Sequence, residues 1–400
     1  MTNLSKMDLS NLAPGHQTDQ PQSHHGDAAA AIANQLYVHG PASRRELAES
    51  LQLSLPTVDR ALRELMRRQL IEPGPSRPST GGRRAYAYAF ANSNHVAIGI
   101  SANRGSLHIR AVNLAGEVSD AIDRVIPQYS GNAYWQRVGN IVNDFADATE
   151  RHATIIATAC AAPGILTPDG GMVEFDLATA SPDASLRTLI QTLHRPCTLI
   201  RQAEARATAQ LWADRTIDDA LCIYLDHMVS GAVIVDGAVN SGPNRCNGTI
   251  AHMTLVPDGL ECRCGRRGCM DAYCSPTTLT EDGESLPGFF SVLEQGEPNH
   301  RRRLDAWMDH LAQAIAAARS VICGDVILGG QIAQYLDDAD IADIARRVRE
   351  RMPFGMDRFA VHAAMPGDEQ AAIGAAQSCV GAYVASLGLD PVARFHSAIP

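Results

Sequence analysis

Three cysteines and a histidine carry the most specific chemistry in the chain. Cys262 and Cys264 are one residue apart, Cys269 follows after Gly265-Arg266-Arg267-Gly268, and His252 lies ten positions before Cys262. Thiolate sulfur and imidazole nitrogen are the ligands zinc prefers, and three Cys with one His complete a tetrahedral shell that leaves no place for water. A closed shell of this kind fixes a loop and activates no nucleophile. Gly265 and Gly268 suit a chain folding tightly around an ion, because they carry no Cβ. Cys274 would complete an all-sulfur shell in place of His252, and Cys246 is also near, so spacing alone leaves the fourth ligand open.

A second chemistry lies nearer the start. Between residues 26 and 92 nine arginines stand against six acids, a net +3 that leaves −13 for the rest of a chain whose total is −10. A basic module on an acidic body grips phosphate locally while the body repels it. Residues 28–38 read as a helix ended by His39-Gly40-Pro41. Ser43-Arg44-Arg45-Glu46 is a capping box opening a second helix that ends near Leu51. Ser54 caps a third, with Pro56 tolerated in its first turn. Val58, Leu62 and Leu65 face inward at helical spacing, and Thr57, Arg60, Arg63 and Arg67 face outward. Residues 70–72 and 84–90 pair as two strands around a loop that carries Gly81-Gly82-Arg83-Arg84. Three short helices and a wing describe a winged helix-turn-helix, expected over residues 26–92 after a disordered tail of residues 1–25. Double-stranded DNA is the expected partner. Ser54, Pro56, Thr57 and Arg60 are placed at base edges, Ser43, Arg44, Arg63 and Arg67 at phosphates, and Arg83 and Arg84 in a minor groove.

The remainder, residues 93–400, reads as α/β. Apolar strands at residues 95–100, 107–114, 153–161, 198–200, 221–225, 231–235 and 325–330 alternate with helices at 135–148, 203–213, 301–322 and 370–387, which implies two lobes with a cleft between them. The insert 281–300 reads as a surface loop, Arg301-Arg302-Arg303 as the solvated start of a helix, and Trp135, Trp212 and Trp307 as core. With 45% hydrophobic and 20% charged residues, no apolar run near the roughly 20 residues that span a bilayer and a polar first 25 residues, the chain is expected in the cytoplasm. There its ten cysteines stay mostly reduced and a cluster of them points to metal rather than disulfides.

Taken together, the Cys-x-Cys-Gly-x-x-Gly-Cys run with His252 upstream, Ala162-Pro163-Gly164, Ile327-Leu328-Gly329-Gly330 and Ala372-Ile373-Gly374-Ala375-Ala376 resemble the ROK family, a group of bacterial repressors and sugar kinases built on a two-lobed, actin-like ATPase fold. The N-terminal winged helix resembles its repressor branch, that of the xylose and N-acetylglucosamine repressors. The resemblance implies His252, Cys262, Cys264 and Cys269 as ligands of a structural zinc. It also implies a homodimer or tetramer, and a regulator of carbohydrate genes controlled by a sugar or sugar phosphate in the cleft, with no membrane partner.

The kinase motifs of the family are altered. Asp-x-Gly-Gly-Thr is replaced by Ser101-Ala102-Asn103-Arg104-Gly105-Ser106, which lacks the metal-binding acid. The second phosphate loop reads Asp226-His227-Met228-Val229-Ser230-Gly231-Ala232, with side chains where anions would dock, and the catalytic Asp aligns with Glu204. Three such changes speak against phosphoryl transfer, so no enzyme activity is expected. In the sugar pocket Thr249 replaces a glutamate, and the candidates for an effector are Glu204, Thr249, His252 and Asp271, with Arg206.

Overall fold

Caps and periodicity set the first elements. The computed structural model describes residues 24–74, 86–103, 105–127, 131–166, 173–175, 184–352 and 358–390, and opens with α1 (His24–His39), β1 (Ala42–Ser43), α2 (Arg44–Ser50) and α3 (Leu55–Arg67). α1 begins two residues inside the stretch expected to be a tail; residues 1–23 lie outside the described residues. At α2 the Ser43 hydroxyl accepts from the Glu46 N–H and the Glu46 carboxylate accepts from the Ser43 N–H, the reciprocal bonding of a capping box. Ser54 caps α3, and Pro56 sits in the first turn, where a missing N–H costs nothing. Val58, Ala61, Leu62 and Leu65 of α3 bury against Ile32, Leu36 and Tyr37 of α1. β2 (Ile71–Pro73) and β3 (Ala87–Phe90) run antiparallel with Ile71 opposite Phe90, and β1 pairs with the other side of β3. Residues 75–85 between them, Arg83 and Arg84 included, lie outside the described residues.

The first lobe follows: β4 (His95–Asn103), β5 (Ser106–Asn113), β6 (Val118–Val125), α4 (Asn132–Thr149), β7 (Thr154–Ala162), the small pair β8 (Ile165–Leu166) and β9 (Val173–Phe175), α5 (Ala184–Thr192) and β10 (Cys197–Arg201). Its sheet has the order β10-β7-β4-β5-β6, parallel through β4, β7 and β10 and antiparallel through β5 and β6. β4 is central and covered on both faces, which is why its sequence is a continuous apolar run instead of an alternation. β6 is an edge strand with a largely exposed pattern and no apolar signature to announce it.

After α6 (Gln202–Ala213) the second lobe is built from β11 (Ala220–Leu225), β12 (Val229–Val235), β13 (Ala238–Val239), α7 (Asp271–Cys274), α8 (Pro276–Leu279), α9 (Leu286–Glu294), α10 (Pro298–Arg319), β14 (Asp325–Gly329), α11 (Asp338–Arg351) and β15 (Val361–Ala363), and α12 (Gln370–Ser386) is the last element among the described residues. The sheet order is β13-β12-β11-β14-β15. Two expectations are corrected here. The insert 281–300 is not a loop: it holds α9, whose Phe289 and Phe290 are buried, and the start of α10. Arg303 is not a solvated helix start, since its guanidinium pairs with Glu284 and lies over the Phe289 ring.

α6 and α12 lie between the two sheets. Ala203, Ala207 and Leu211 pack on Cys222, Tyr224 and Ile234 of the second sheet, and Ala205 packs with Ala371 and Ala375 on Ala159 and Ala161 of the first. Glycine makes this stacking close. A Cβ on Gly99 of β4 would stand 1.8 Å from the Ala372 carbonyl oxygen, and one on Gly374 would stand 1.7 Å from that of Ala205. Trp135, Trp212 and Trp307 are buried, as expected. Among the described residues no helix is long and apolar enough to cross a membrane.

Candidate functional site

The cysteine run folds back on itself between two isolated β-bridges, Thr254 with Cys269 and Glu261 with Arg267. Gly265 and Gly268 both have positive φ, and a Cβ on Gly268 would lie 1.8 Å from the Val256 carbonyl oxygen, so only glycine fits that corner. A short 3-10 turn at Ile250–His252 delivers the imidazole. Ligand atoms of His252, Cys262, Cys264 and Cys269 all lie within 4.8 Å of one another. Cys262 Sγ is 3.8 Å from His252 Nδ1 and Cys264 Sγ is 3.7 Å from Cys269 Sγ. Tetrahedral zinc, with Zn–S near 2.3 Å and Zn–N near 2.0 Å, spaces its ligands about 3.6–3.8 Å apart. The residues therefore fit that ion. Burial and the adjoining Cys264 and Cys262 sulfurs push the Cys269 thiol up to about 12, the adverse state that a dication among the sulfurs reverses. Burial also lowers His252, which keeps the imidazole in its neutral, ligating form. Cys274 faces the second lobe's core and Cys246 is exposed. Neither joins the group.

The expected effector residues are held as follows. Glu204 is 1% exposed. Its Oε1 accepts from Arg201 Nη2 at 2.9 Å, and its Oε2 has no hydrogen-bond partner among the described residues. The same Arg201 nitrogen donates to the Asn247 carbonyl, two residues before Thr249, whose hydroxyl donates to the Cys246 carbonyl at 2.7 Å. Asp271 is buried, accepts from the Val229 N–H at 2.7 Å and is near enough to His252 for their charges to interact. Burial raises its pKa. Glu204 is thus linked through Arg201 to the turn that carries Thr249, and Asp271 lies near His252.

Arg206 has other partners. Two positions along α6 from Glu204, it leaves the opposite face, pairs with Asp226 at the end of β11, approaches Asp368 at 3.8 Å and lies over the Tyr224 ring. Asp226 Oδ1 in turn accepts from the Gln331 N–H at 3.1 Å. What remains open beside Arg206, Tyr224 and Gly367 is a cavity of about 20 Å³. The β4–β5 turn is likewise closed by its own side chains, Asn103 Nδ2 donating to the Ser101 hydroxyl and Ser106 Oγ to the Asn103 carbonyl; Arg104 lies outside the described residues. A larger cavity, about 580 Å³, opens among Asp219, Asp325, Arg319 and His362 at the start of β11 and β14, with Ile327 of the Ile-Leu-Gly-Gly run in its lining.

On the N-terminal module Pro56, Arg60, Arg63 and Arg67 are exposed, and the three arginines have no carboxylate partner among the described residues. Arg44 is tied to the Asp59 carboxylate at 3.0 Å. Ser43 is committed to its cap, and the Ser54 and Thr57 hydroxyls bond each other at 2.8 Å. Sequence reasoning missed Arg201, although an arginine three residues before a buried glutamate at a strand-to-helix junction was a readable signal. It also missed Leu55, exposed at the first position of α3.

A sequence profile described as the ROK family matches residues 97–380. The DNA-binding transcriptional dual regulator NagC of Escherichia coli K12 is 25% identical over 257 residues, a match that spans 63% of this chain and 63% of NagC. The crystal structure of a ROK family transcriptional regulator, a homolog of the E. coli MLC protein, superposes over 93% of this chain and 100% of its own with a TM-score of 0.73 at 20% identity. A ROK hexokinase from Thermus thermophilus superposes over 71% of this chain and 97% of its own with a TM-score of 0.61 at 21% identity.

Proposed function

The chain belongs to the ROK family, and on that premise we propose that it is a DNA-binding transcriptional regulator, a repressor of carbohydrate genes, whose body senses a sugar or sugar phosphate and performs no phosphoryl transfer. The observation that carries this reading is the face of α3. Its core side is committed to α1 while Arg60, Arg63 and Arg67 project outward without carboxylate partners among the described residues, the arrangement of a recognition helix in a winged helix-turn-helix set against a duplex. Likeness to NagC over its matched segment supports the same reading. One module of net +3 makes few phosphate contacts, so a homodimer or tetramer is needed for useful affinity.

Against a kinase stands the Arg206–Asp226 pair. The Asp226 carboxylate stands in the loop where the resemblance would put ATP phosphates, its charge opposes theirs, and Arg206, which could have offset it, is already paired with it. Glu204 keeps a buried carboxylate oxygen open, which serves a general base as well as a hydroxyl-binding group, so turnover is the competing reading. In the repressor reading Glu204, Thr249, His252 and Asp271 hold the polyol, and zinc on His252, Cys262, Cys264 and Cys269 fixes the loop that presents His252. The zinc supplies rigidity, and His252 Nε2 is left to face a hydroxyl.

Gel shifts on a duplex enriched with the full-length protein, run across a panel of sugars and sugar phosphates, test the switch. At least one ligand is expected to release DNA, and binding unchanged across the whole panel overturns the effector role. Coupled ADP release on a hexose panel is expected to stay at background; turnover abolished by Glu204→Gln would make the protein a kinase.

A further inference from the structure

We infer that Leu55 is a specificity-determining residue that reads the 5-methyl group of thymine. The inference deepens the duplex-reading function proposed above and rests on it.

Side chains at the tip of α3 are already divided by the structure. Ser54 Oγ accepts from the Thr57 N–H at 3.3 Å and shares a 2.8 Å hydrogen bond with Thr57 Oγ1, so the two hydroxyls that chemistry would first assign to base edges are tied to the cap and to each other, with one O–H left between them. Pro56 has no N–H to donate. Leu55, at the first helical position, is 43% exposed. It precedes the first buried residue of the helix, Val58, by three positions, and the inward stripe Val58, Ala61, Leu62 and Leu65 is already covered by α1 and the small sheet. A recognition helix meets base edges with its N-terminal residues. The tip therefore presents two adjoining exposed apolar groups, Leu55 and Pro56, with Arg60 one turn further in.

In the major groove every base edge is polar except the 5-methyl of thymine. An apolar tip placed on guanine, cytosine or adenine would bury their donors and acceptors unmet, which is unfavourable. Placed on thymine, it covers a methyl. Arg60, a bidentate donor, fits the O6 and N7 acceptors of guanine. Each half-site is thus expected to contain a thymine under Leu55 beside a guanine under Arg60.

The test begins with duplexes enriched from a randomised library by the full-length protein. Each thymine is then replaced singly by deoxyuridine, which deletes the methyl and keeps every hydrogen bond. For the unaltered protein one position per half-site should weaken by about fourfold, the factor that corresponds to burying one methyl-sized group. Leu55→Ala should bind the thymine and uracil duplexes equally. Repeating the enrichment with Leu55→Gln, which keeps a long side chain at this exposed site, should exchange that thymine for adenine. Indifference of the unaltered protein to every uracil, undiminished uracil sensitivity in Leu55→Ala, or an unchanged base under Leu55→Gln would each overturn the inference while leaving DNA binding intact. Failure to enrich any duplex would instead overturn the proposed function and this inference with it.

Discussion

Gly374→Ala tests whether the close contact between α12 and α6 is required. An added Cβ would stand 1.7 Å from the Ala205 carbonyl oxygen, 2.6 Å from its carbon and 3.0 Å from the Ala209 nitrogen. All three are backbone atoms in the middle of a helix, so no rotamer change relieves the overlap. The helices must separate by about 1.5 Å to restore ordinary van der Waals contact, which opens the alanine layer between the lobes. Overpacking of this kind costs about 3 kcal/mol, and the better helix propensity of alanine offsets about 1 kcal/mol of it. A net loss of about 2 kcal/mol corresponds to a drop of roughly 4–8 °C in Tm. Gly381 supplies the control: it lies in the same helix, and a Cβ there meets nothing within 4 Å. Gly381→Ala should be neutral or raise Tm by a few degrees. Thermal unfolding of the two variants followed by circular dichroism decides the matter. If both shift Tm in the same direction, or if Gly374→Ala melts at or above the unaltered chain, the contact is not what holds the lobes.

Three further outcomes are expected. Cys264→Ser should take bound zinc, measured by a colorimetric chelator after digestion, from one per chain to none, with a lower Tm, because a structural site contributes its binding energy to folding; an unaltered chain purified without metal refutes this. Arg63→Ala should weaken binding to all duplexes and lower the slope of log K on log salt by about 0.9, whereas Arg60→Ala should relax preference at one base pair, and equal effects from both would mean that the orientation of α3 in the groove is wrong. At the α9–α10 corner, the hydrogen bonds His300 donates to Glu297 and Glu284 raise its pKa, so its contribution is present below its ordinary 6.5 and is lost as pH rises through the raised value. Glu284, held down to about 2 by Arg303, the Glu281 N–H and His300 against the opposing effect of burial, contributes above its ordinary 4.5 and loses that as pH falls toward 2. Urea midpoints of His300→Gln should be flatter than those of the unaltered chain between pH 6 and 8, and parallel profiles would exclude the contribution.

Where one kind of signal dominated, the structure was legible in the sequence. The capping box of α2, the continuous apolar run of β4 and the 3.6-residue stripe of α3 each depend on local chemistry that the chain displays directly. The Cys3His cluster was legible for the same reason: glycines flank the sulfurs, and of the three candidates for a fourth member His252 lies with them, whereas Cys274 faces the core and Cys246 is exposed. What failed was whatever depended on a distant partner. The apolar residues of α9 are interrupted by a proline and a glycine, and it is helical because Phe289 and Phe290 find a core. Arg303 looked solvated because Glu284 is nineteen residues away. The ion pair of Arg206 was hidden for the same reason, since Asp226 is twenty residues away.

The same two central helices bear on how a ligand could act on DNA. Nothing in the described structure treats the N-terminal module as a bead on a flexible linker. Val380 and Val384 of α12 and Leu389 beyond it share one core with Ile32, Leu36, Val58 and Leu62. The Tyr37 hydroxyl donates to the Leu114 carbonyl at 3.0 Å, and the Asp390 N–H to Asn34 Oδ1 at 3.0 Å. α12 also abuts Ala205, which lies between Glu204 and Arg206 on α6. A ligand drawing Glu204 toward His252 therefore has to move α6 against Asp226 and Asn247, and α12 with it, or else leave the module where it is. Because α12 carries part of the module's core, the first case reorients α3. In a dimer that changes the spacing of two recognition helices, which duplex binding senses steeply. Loosening the α6–α12 contact, as Gly374→Ala would, should then weaken the effect of ligand on DNA binding more than it weakens DNA binding itself.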